Sequence, residues 1–361
     1  MRTHHHLAAA LTLALAALAP EAALASPCPV LPETEQGEKH CARSAHGIAI
    51  AATPERAERL LALGEAARAR FGTLFARSAS RYAIVEMGTS GFSGAARAAL
   101  RQAGYSVVLP WLSPQAYRDQ AVASVRRGLE GRLAGLPEES RLAALKSAEA
   151  QMERQFSETA TNDRDATAIP HELGHMWLIE AFWPGQGKID GGHYGGPGPD
   201  WLDEMAAIVL EPDSSAERRR SLFAERYRKH LASGGGSDGG LLDLADYFTK
   251  AHPVGEQARA LVGSAANEGG MQVRVLSGEE AQRFAGDGIR FYLQSRAVAD
   301  YLLDEGRNPA LLGEIAAHVA KGGTFASWLA KSGPRHGLVD ELDRFSADWL
   351  AWLARRYPPR D

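Results

Sequence analysis

The sequence predicts an α+β fold, with an N-terminal α/β portion followed by a mainly α-helical C-terminal portion. Two short apolar runs, Tyr82–Met87 and Tyr105–Trp111, are bounded by glycine or serine and have the length of strands. Helical patterns fill most of the remaining chain. At 361 residues the chain exceeds a typical single domain, which favours two packed portions at residues 53–160 and 161–361.

Local start and stop signals bound the N-terminal helices. Thr53 followed by Pro54 predicts an N-cap and a helix to about Ala76. A shorter helix at Gly94–Ala103 is closed by Gly104. Two long helices follow, at Pro114–Leu133 and Pro137–Phe156.

Capping boxes predict two helix starts in the C-terminal portion, at 214–217 and 277–280. Residues 233–240 are rich in glycine and serine and predict a flexible connector. The apolar spacing of Trp349 and Trp352 favours core positions over a functional site.

Residues 1–25 have the pattern of a secretory signal peptide. Arg2 precedes an apolar run at Leu7–Ala19, and Ala23-Leu24-Ala25 offers a small-x-small cleavage pattern. This run is too short for a membrane helix of about 20 residues and ends at Pro20. We therefore expect an exported protein, periplasmic or secreted, without a membrane span.

Cys28 and Cys41 are the only cysteines, and they lie in the tail that we assign to residues 26–52. In an exported protein, two nearby cysteines predict a local disulfide, with free thiols as the alternative. A loop of this size is worth about 3 kcal/mol in the chain-entropy model.

Composition excludes one class of partner. The formal net charge is −4, which gives no basic footprint for nucleic acid. Hydrophobic residues make up 45% and charged residues 23%, as in ordinary globular proteins. Oligomeric state is left open.

The segment His171-Glu172-Leu173-Gly174-His175 carries the strongest chemical signal. Residues four apart share one face of an α-helix, so His171 and His175 can bind one ion. Glu172 lies close enough to reach a water on that ion without being a ligand. This arrangement is typical of a zinc site with one open position. An exposed helix with two solvated histidines is the alternative.

A third ligand is expected downstream, and the residues there carry a resemblance. His-Glu-Leu-Gly-His-Met-Trp (171–177) and Trp-Leu-Asp-Glu-Met-Ala-Ala (201–207) resemble two segments of the gluzincin peptidases. The zinc aminopeptidases of that group carry His-Glu-Leu-x-His-x-Trp and Trp-Leu-Asn-Glu-Gly-Phe-Ala. The resemblance implies that Glu204 is the third zinc ligand and that Asp203 supports one ligand histidine. The spacer is longer here, and Met-Ala replaces Gly-Phe.

The resemblance covers residues 166–353 in outline and implies a thermolysin-like zincin fold. It implies hydrolysis of peptide or protein substrates, with Zn²⁺ as cofactor and Glu172 as general base. The sequence has no Gly-x-Met-Glu-Asn segment of the kind that aminopeptidases use to bind a free amino terminus, which favours an endopeptidase. An aminopeptidase and an exported zinc-binding module without turnover are the alternatives.

A glycine- and proline-rich loop at residues 184–199 connects the two zinc-binding segments. A loop this long inside a compact domain is usually functional or disordered. Asp190 and His193 in this loop are rival third ligands. Glu204 ranks ahead of both because of its helical setting and its matching flank.

Tyr292 is the candidate for stabilising the oxyanion. The segment from Tyr292 to Leu302 is similar to Tyr-x-Lys-Gly-x-x-Val-Leu-x-x-Leu of the zinc aminopeptidases, with Gln-Ser in place of Lys-Gly. The resemblance implies that its phenol donates to the carbonyl oxygen of the substrate. An ordinary half-buried helix aromatic is the alternative. The rival donors are His193, Tyr194, His252 and His318.

Overall fold

A computed structural model of the protein describes residues 28–31, 39–89, 91–154, 156–186, 196–234, 240–249, 251–252, 286 and 288–359. The architecture is mixed α and β, with one small sheet and many helices, as the sequence predicts. The signal peptide, the capping box at 277–280 and the loop residues Asp190, His193 and Tyr194 lie outside the described residues.

The sheet has four strands in the order β1-β2-β3-β4 within the described part of the chain. β1 and β2 are antiparallel, whereas β2, β3 and β4 are parallel. The strands are β1 (His40–Arg43), β2 (Gly47–Ala51), β3 (Tyr82–Met87) and β4 (Val107–Leu112). β1 and β2 lie inside the segment 26–52 that the sequence analysis treats as a tail.

Helices cover both faces of this sheet. Alternate strand residues such as Ile84 pack with α1 (Pro54–Phe75) and α5 (Glu158–Phe182), whereas their neighbours such as Val85 pack with α2 (Gly94–Gln102). The period of two along each strand sends successive side chains to opposite faces. The strands are therefore buried on both sides, as in a layered α/β unit.

Local signals set several helix ends as predicted. The Thr53 side chain accepts a hydrogen bond from Arg56 N and caps α1. α2 ends in a Schellman motif, in which Gly104 N donates to Arg101 O and Tyr105 N donates to Leu100 O. Gly104 has a φ of +88°, which a glycine adopts without strain.

The predicted disulfide joins Cys28 to Cys41, with their Cα atoms 5.6 Å apart. It fastens the segment 28–31 to strand β1, and Leu31 is buried in the core beneath the sheet face that α2 covers. The cross-link therefore anchors this segment to the sheet.

The described residues of the C-terminal portion form helices joined by turns and irregular segments, with no strand among them. No helix among them is long and apolar enough to cross a bilayer. Some predicted boundaries are displaced by one or two residues. The helix predicted to open at Ser214 begins at Asp213, after Pro212, and the strand predicted at Tyr105–Trp111 is observed at Val107–Leu112. The remaining helices are α3 (Pro114–Leu133), α4 (Glu138–Arg154), α6 (Asp200–Leu210), α7 (Asp213–Ala232), α8 (Leu244–Thr249), α9 (Ile289–Glu305), α10 (Leu311–Val319), α11 (Phe325–Ser332) and α12 (Leu342–Arg356).

Candidate metal centre

Three side chains meet where α5 packs against α6. His171 and His175 lie one turn apart on α5, with their Nε2 atoms 3.3 Å from each other. Glu204 enters from α6, and its two oxygens lie 3.8 Å from His171 Nε2 and 3.9 Å from His175 Nε2. One ligand atom from each residue lies within 4.8 Å of the others. This group could hold a metal ion.

The surroundings of the Glu204 carboxylate indicate whether a metal ion would fit between the three side chains. The residue is 1% exposed, and neither carboxylate oxygen has a hydrogen-bond partner among the described residues. A buried carboxylate without a partner is costly, and such groups are normally paired or bound to a metal. The unsatisfied oxygens face two imidazole nitrogens, so a cation at this point would satisfy all three groups.

The other nitrogen of each histidine faces a carboxylate. His175 Nδ1 lies 2.9 Å from Asp203 Oδ1, which places Asp203 beside one of the two candidate ligand histidines. His171 Nδ1 hydrogen bonds with Glu211 Oε1 at 3.0 Å. An ionised carboxylate can only accept, so these contacts favour a hydrogen on Nδ1, which leaves Nε2 of a neutral imidazole available to a metal.

Glu211 belongs to the candidate metal centre through its contact with His171, and the sequence analysis did not name it. It is fully buried at the end of α6 and accepts hydrogen bonds from both Nε and Nη2 of Arg219 on α7. Its position two helical turns after Glu204 places it on the same side of α6. That spacing is the signal by which it could have been found.

A residue of the N-terminal portion holds the turn between α6 and α7. Arg70 on α1 donates to the backbone carbonyl of Glu211 and pairs with Asp213 at the start of α7. The candidate metal centre is thereby tied to the helix that covers the sheet.

Burial and neighbouring charges shift the pKa values of the group. Burial alone would lower the pKa of His171, but the hydrogen bond to Glu211 and the charge of Glu204 raise it to about 9. Burial, followed by the charge of His171, lowers the pKa of His175 to about 3. Burial raises the pKa of Glu204 to about 8. Because metal ligands must be deprotonated, a metal ion would compete with protons for His171 and Glu204.

Glu172 and Tyr292 border the same group. Glu172 is partly exposed, and its charge contributes, after burial and nearer groups, to the pKa of both histidines. The ring of Tyr292 lies 6.4 Å from the ring of His171, centroid to centroid. Tyr292 is partly buried on α9.

The alternative metal ligands and oxyanion donors named in the sequence analysis do not all lie near the candidate metal centre. His252 is buried, with its ring 5.1 Å from that of Tyr292, and therefore belongs to the surroundings of the centre. His318 hydrogen bonds with Ser327 near the start of α11. Asp190, His193 and Tyr194 remain untested because they lie outside the described residues.

No protein-family model, curated protein or solved structure matches this chain.

Proposed function

We propose that this protein is an exported, zinc-dependent metallopeptidase with a thermolysin-like catalytic portion, more specifically an endopeptidase. The proposal depends on one observation. The buried carboxylate of Glu204, without a hydrogen-bond partner among the described residues, faces two histidine nitrogens. A cation is the simplest group that satisfies this arrangement.

The ligand set supports zinc as that cation. Two imidazoles and one carboxylate, with a fourth position left open, are typical of catalytic zinc. Ligands about 2.0–2.1 Å from a tetrahedral ion lie about 3.3 Å from one another. The two nitrogens are 3.3 Å apart, which matches this value. One oxygen of Glu204 lies 3.8 Å from His171 Nε2 and the other 3.9 Å from His175 Nε2, about half an ångström farther. Bound zinc supplies Lewis acidity and lowers the pKa of water to about 7.

Glu172 is the proposed general base. It follows the ligand His171 in sequence and is partly exposed, so that water and substrate can reach its carboxylate. It takes a proton from the attacking water and can later deliver it to the leaving amine. A site that only binds metal has no need of this group.

Tyr292 is the proposed donor to the carbonyl oxygen of the substrate. Attack on a peptide bond places negative charge on that oxygen, and a neutral phenol can donate a hydrogen bond to it. The proximity of its ring to that of His171 supports this role.

Export is supported by the disulfide between Cys28 and Cys41, because disulfides persist in oxidising compartments. The N-terminal pattern at residues 1–25 supports it as well. The proposed peptide or protein substrate would therefore be met outside the cytoplasm.

Metal content and hydrolysis of a diverse peptide pool test the proposal. We expect the wild-type protein to bind one zinc ion per chain and to cleave within peptides, with loss of activity under a chelator and recovery on adding zinc. Glu172→Gln keeps the shape and removes the base, so zinc should remain while hydrolysis falls by about 10²–10⁴-fold. Zinc binding without hydrolysis by the wild type would instead indicate a zinc-binding module. Release of single N-terminal residues would indicate an aminopeptidase.

A further inference from the structure

Arg219 connects two parts of the candidate centre that come from different helices. It lies on α7 with its side chain 22% exposed. Nε donates to Glu211 Oε2 at 2.6 Å, and Nη2 donates to Glu211 Oε1. This two-point contact fixes the plane of the carboxylate, because the guanidinium donors have a rigid fork geometry.

The oriented carboxylate reaches the metal ligand. Glu211 Oε1, which accepts from Arg219, also hydrogen bonds with His171 Nδ1. The orientation of the His171 ring is therefore set through Glu211 by Arg219. Partners of this kind commonly change metal affinity or activity by about 10- to 100-fold.

The same guanidinium packs on the proposed oxyanion donor. Its Cζ atom lies 5.9 Å from the centroid of the Tyr292 ring, within the range of cation–π contacts. Tyr292 also lies beside the ring of His171. Arg219 thus contacts the support of a metal ligand at one side and the tyrosine at the other.

We infer that Arg219 is a positioning residue that sets the orientation of both His171 and Tyr292. The part concerning Tyr292 rests on the proposed peptidase function, whereas the part concerning His171 requires only metal binding. Arg219 is not among the proposed metal ligands, and its contacts are with Glu211 and with the tyrosine ring. A lysine would keep the charge but lose the two-point contact.

The adjacent Arg220 offers a matched control. It lies on the same helix, but its guanidinium pairs with Asp300 on α9, through Nε at 2.8 Å and Nη2 at 2.9 Å. Arg220→Gln removes the same charge from the same helix without disturbing Glu211. It should lower stability and leave the metal centre unchanged.

Zn²⁺ affinity, measured by competition with a chelator, tests the contact between Arg219 and Glu211. We expect Arg219→Gln to weaken binding by about tenfold or more and Arg219→Lys to fall between it and the wild type. Arg220→Gln should stay within about twofold of the wild type, because its contact lies elsewhere. Wild-type affinity in folded Arg219→Gln or, if that variant does not fold, in Arg219→Lys would overturn the inference.

Turnover at saturating Zn²⁺ tests the contact between Arg219 and the Tyr292 ring. We expect Arg219→Gln to lower kcat by about tenfold with KM little changed. The same substitution in a Tyr292→Phe background should have little further effect, because the phenol that Arg219 positions is already absent. Full additivity of the two losses would overturn the coupling to Tyr292. If the wild type binds zinc but hydrolyses no peptide, the proposed peptidase function is wrong. The Zn²⁺ affinities of the Arg219 variants would still show whether Arg219 orients His171.

Discussion

Gly174 of α5 faces Ala207 of α6 so closely that a Cβ built on the glycine would lie 2.7 Å from the Ala207 Cα atom. The same added atom would lie 2.9 Å from the carbonyl oxygen of Ala206. Backbone atoms cannot move aside as a flexible side chain can. The absence of a side chain at Gly174 therefore sets how near α6 can approach the two histidines of α5.

We expect Gly174→Ala to destabilise the protein by about 3 kcal/mol, because the added methyl group overpacks two backbones. It should also weaken metal binding, since separating the helices moves Glu204 away from His171 and His175. Thermal unfolding and metal titration measure the two effects.

Gly128 provides the control for this substitution. It lies in the exposed part of α3, and an added Cβ would meet nothing within 4 Å. Gly128→Ala should leave metal binding unchanged and raise stability by up to about 1 kcal/mol through helix propensity. A Gly174→Ala protein as stable as Gly128→Ala would contradict the close-packing argument.

Glu204→Ala should abolish tight metal binding, because it removes the carboxylate that completes the ligand group. Asp190→Ala and His193→Ala should keep one metal ion per chain. Metal content after dialysis gives the comparison directly. Loss of metal in either loop variant would transfer the role of third ligand to that residue.

Tyr292→Phe should lower kcat by about 10²–10³-fold, because one hydrogen bond to the developing oxyanion is lost. Metal content and melting temperature should not change, since the ring that packs beside His171 is retained. Unchanged turnover in Tyr292→Phe would exclude the phenol as the donor, and His252→Gln would then be the next variant to measure.

Asp300→Asn should lower the free energy of unfolding at pH 7 by about 3 kcal/mol, because it breaks a buried ion pair and leaves arginine partners unpaired. Asp300 is 3% exposed and accepts from Arg220 on α7 and Arg296 on its own helix. Burial alone would raise the pKa of Asp300, but the hydrogen bond from Arg220 and the charge of Arg296 hold it below its ordinary value.

The pH dependence of this effect has a definite sign. A depressed carboxyl pKa contributes stability that is fully present above the unfolded-state value of about 3.9 and is lost as the pH falls through the folded-state value. Urea unfolding should therefore show a large difference between wild type and Asp300→Asn at pH 7 and a smaller one below pH 4. Exposed Asp340→Asn, which removes a surface pair with Arg344, should shift stability by less than about 1 kcal/mol at either pH. If Asp300→Asn lowered the free energy of unfolding equally at both pH values, the stabilisation would not come from the ionised Asp300 carboxylate.

Features set by neighbours along the chain could be predicted from the sequence. The helix Pro114–Leu133 has the predicted bounds, and Thr53 and Gly104 mark helix ends as expected. The spacing of His171 and His175 fixes their common face, because the helical period alone brings residues four apart together. These predictions required no knowledge of the rest of the fold.

Features that depend on contacts between segments distant in the sequence could not be predicted from local patterns. Gly47–Ala51 is a short apolar run that becomes a strand only because β1 and β3 pair with both of its edges. The helix start predicted at Ser214 moved to Asp213, where Pro212 fixes the backbone and Arg70 binds the first turn. A local capping signal is weak against such contacts.

The sequence by itself determined that two histidines would share a helix face, and that Glu204 was the best candidate for completing the group. Only the tertiary structure decided that Asp203 serves His175 and that Glu211 serves His171. The reason is physical: the ligand spacing follows from helix geometry, whereas the partners of each imidazole depend on how closely α6 approaches α5. That approach is set by the backbone contact at Gly174, and Arg70 and Arg219 hold the end of α6 in place.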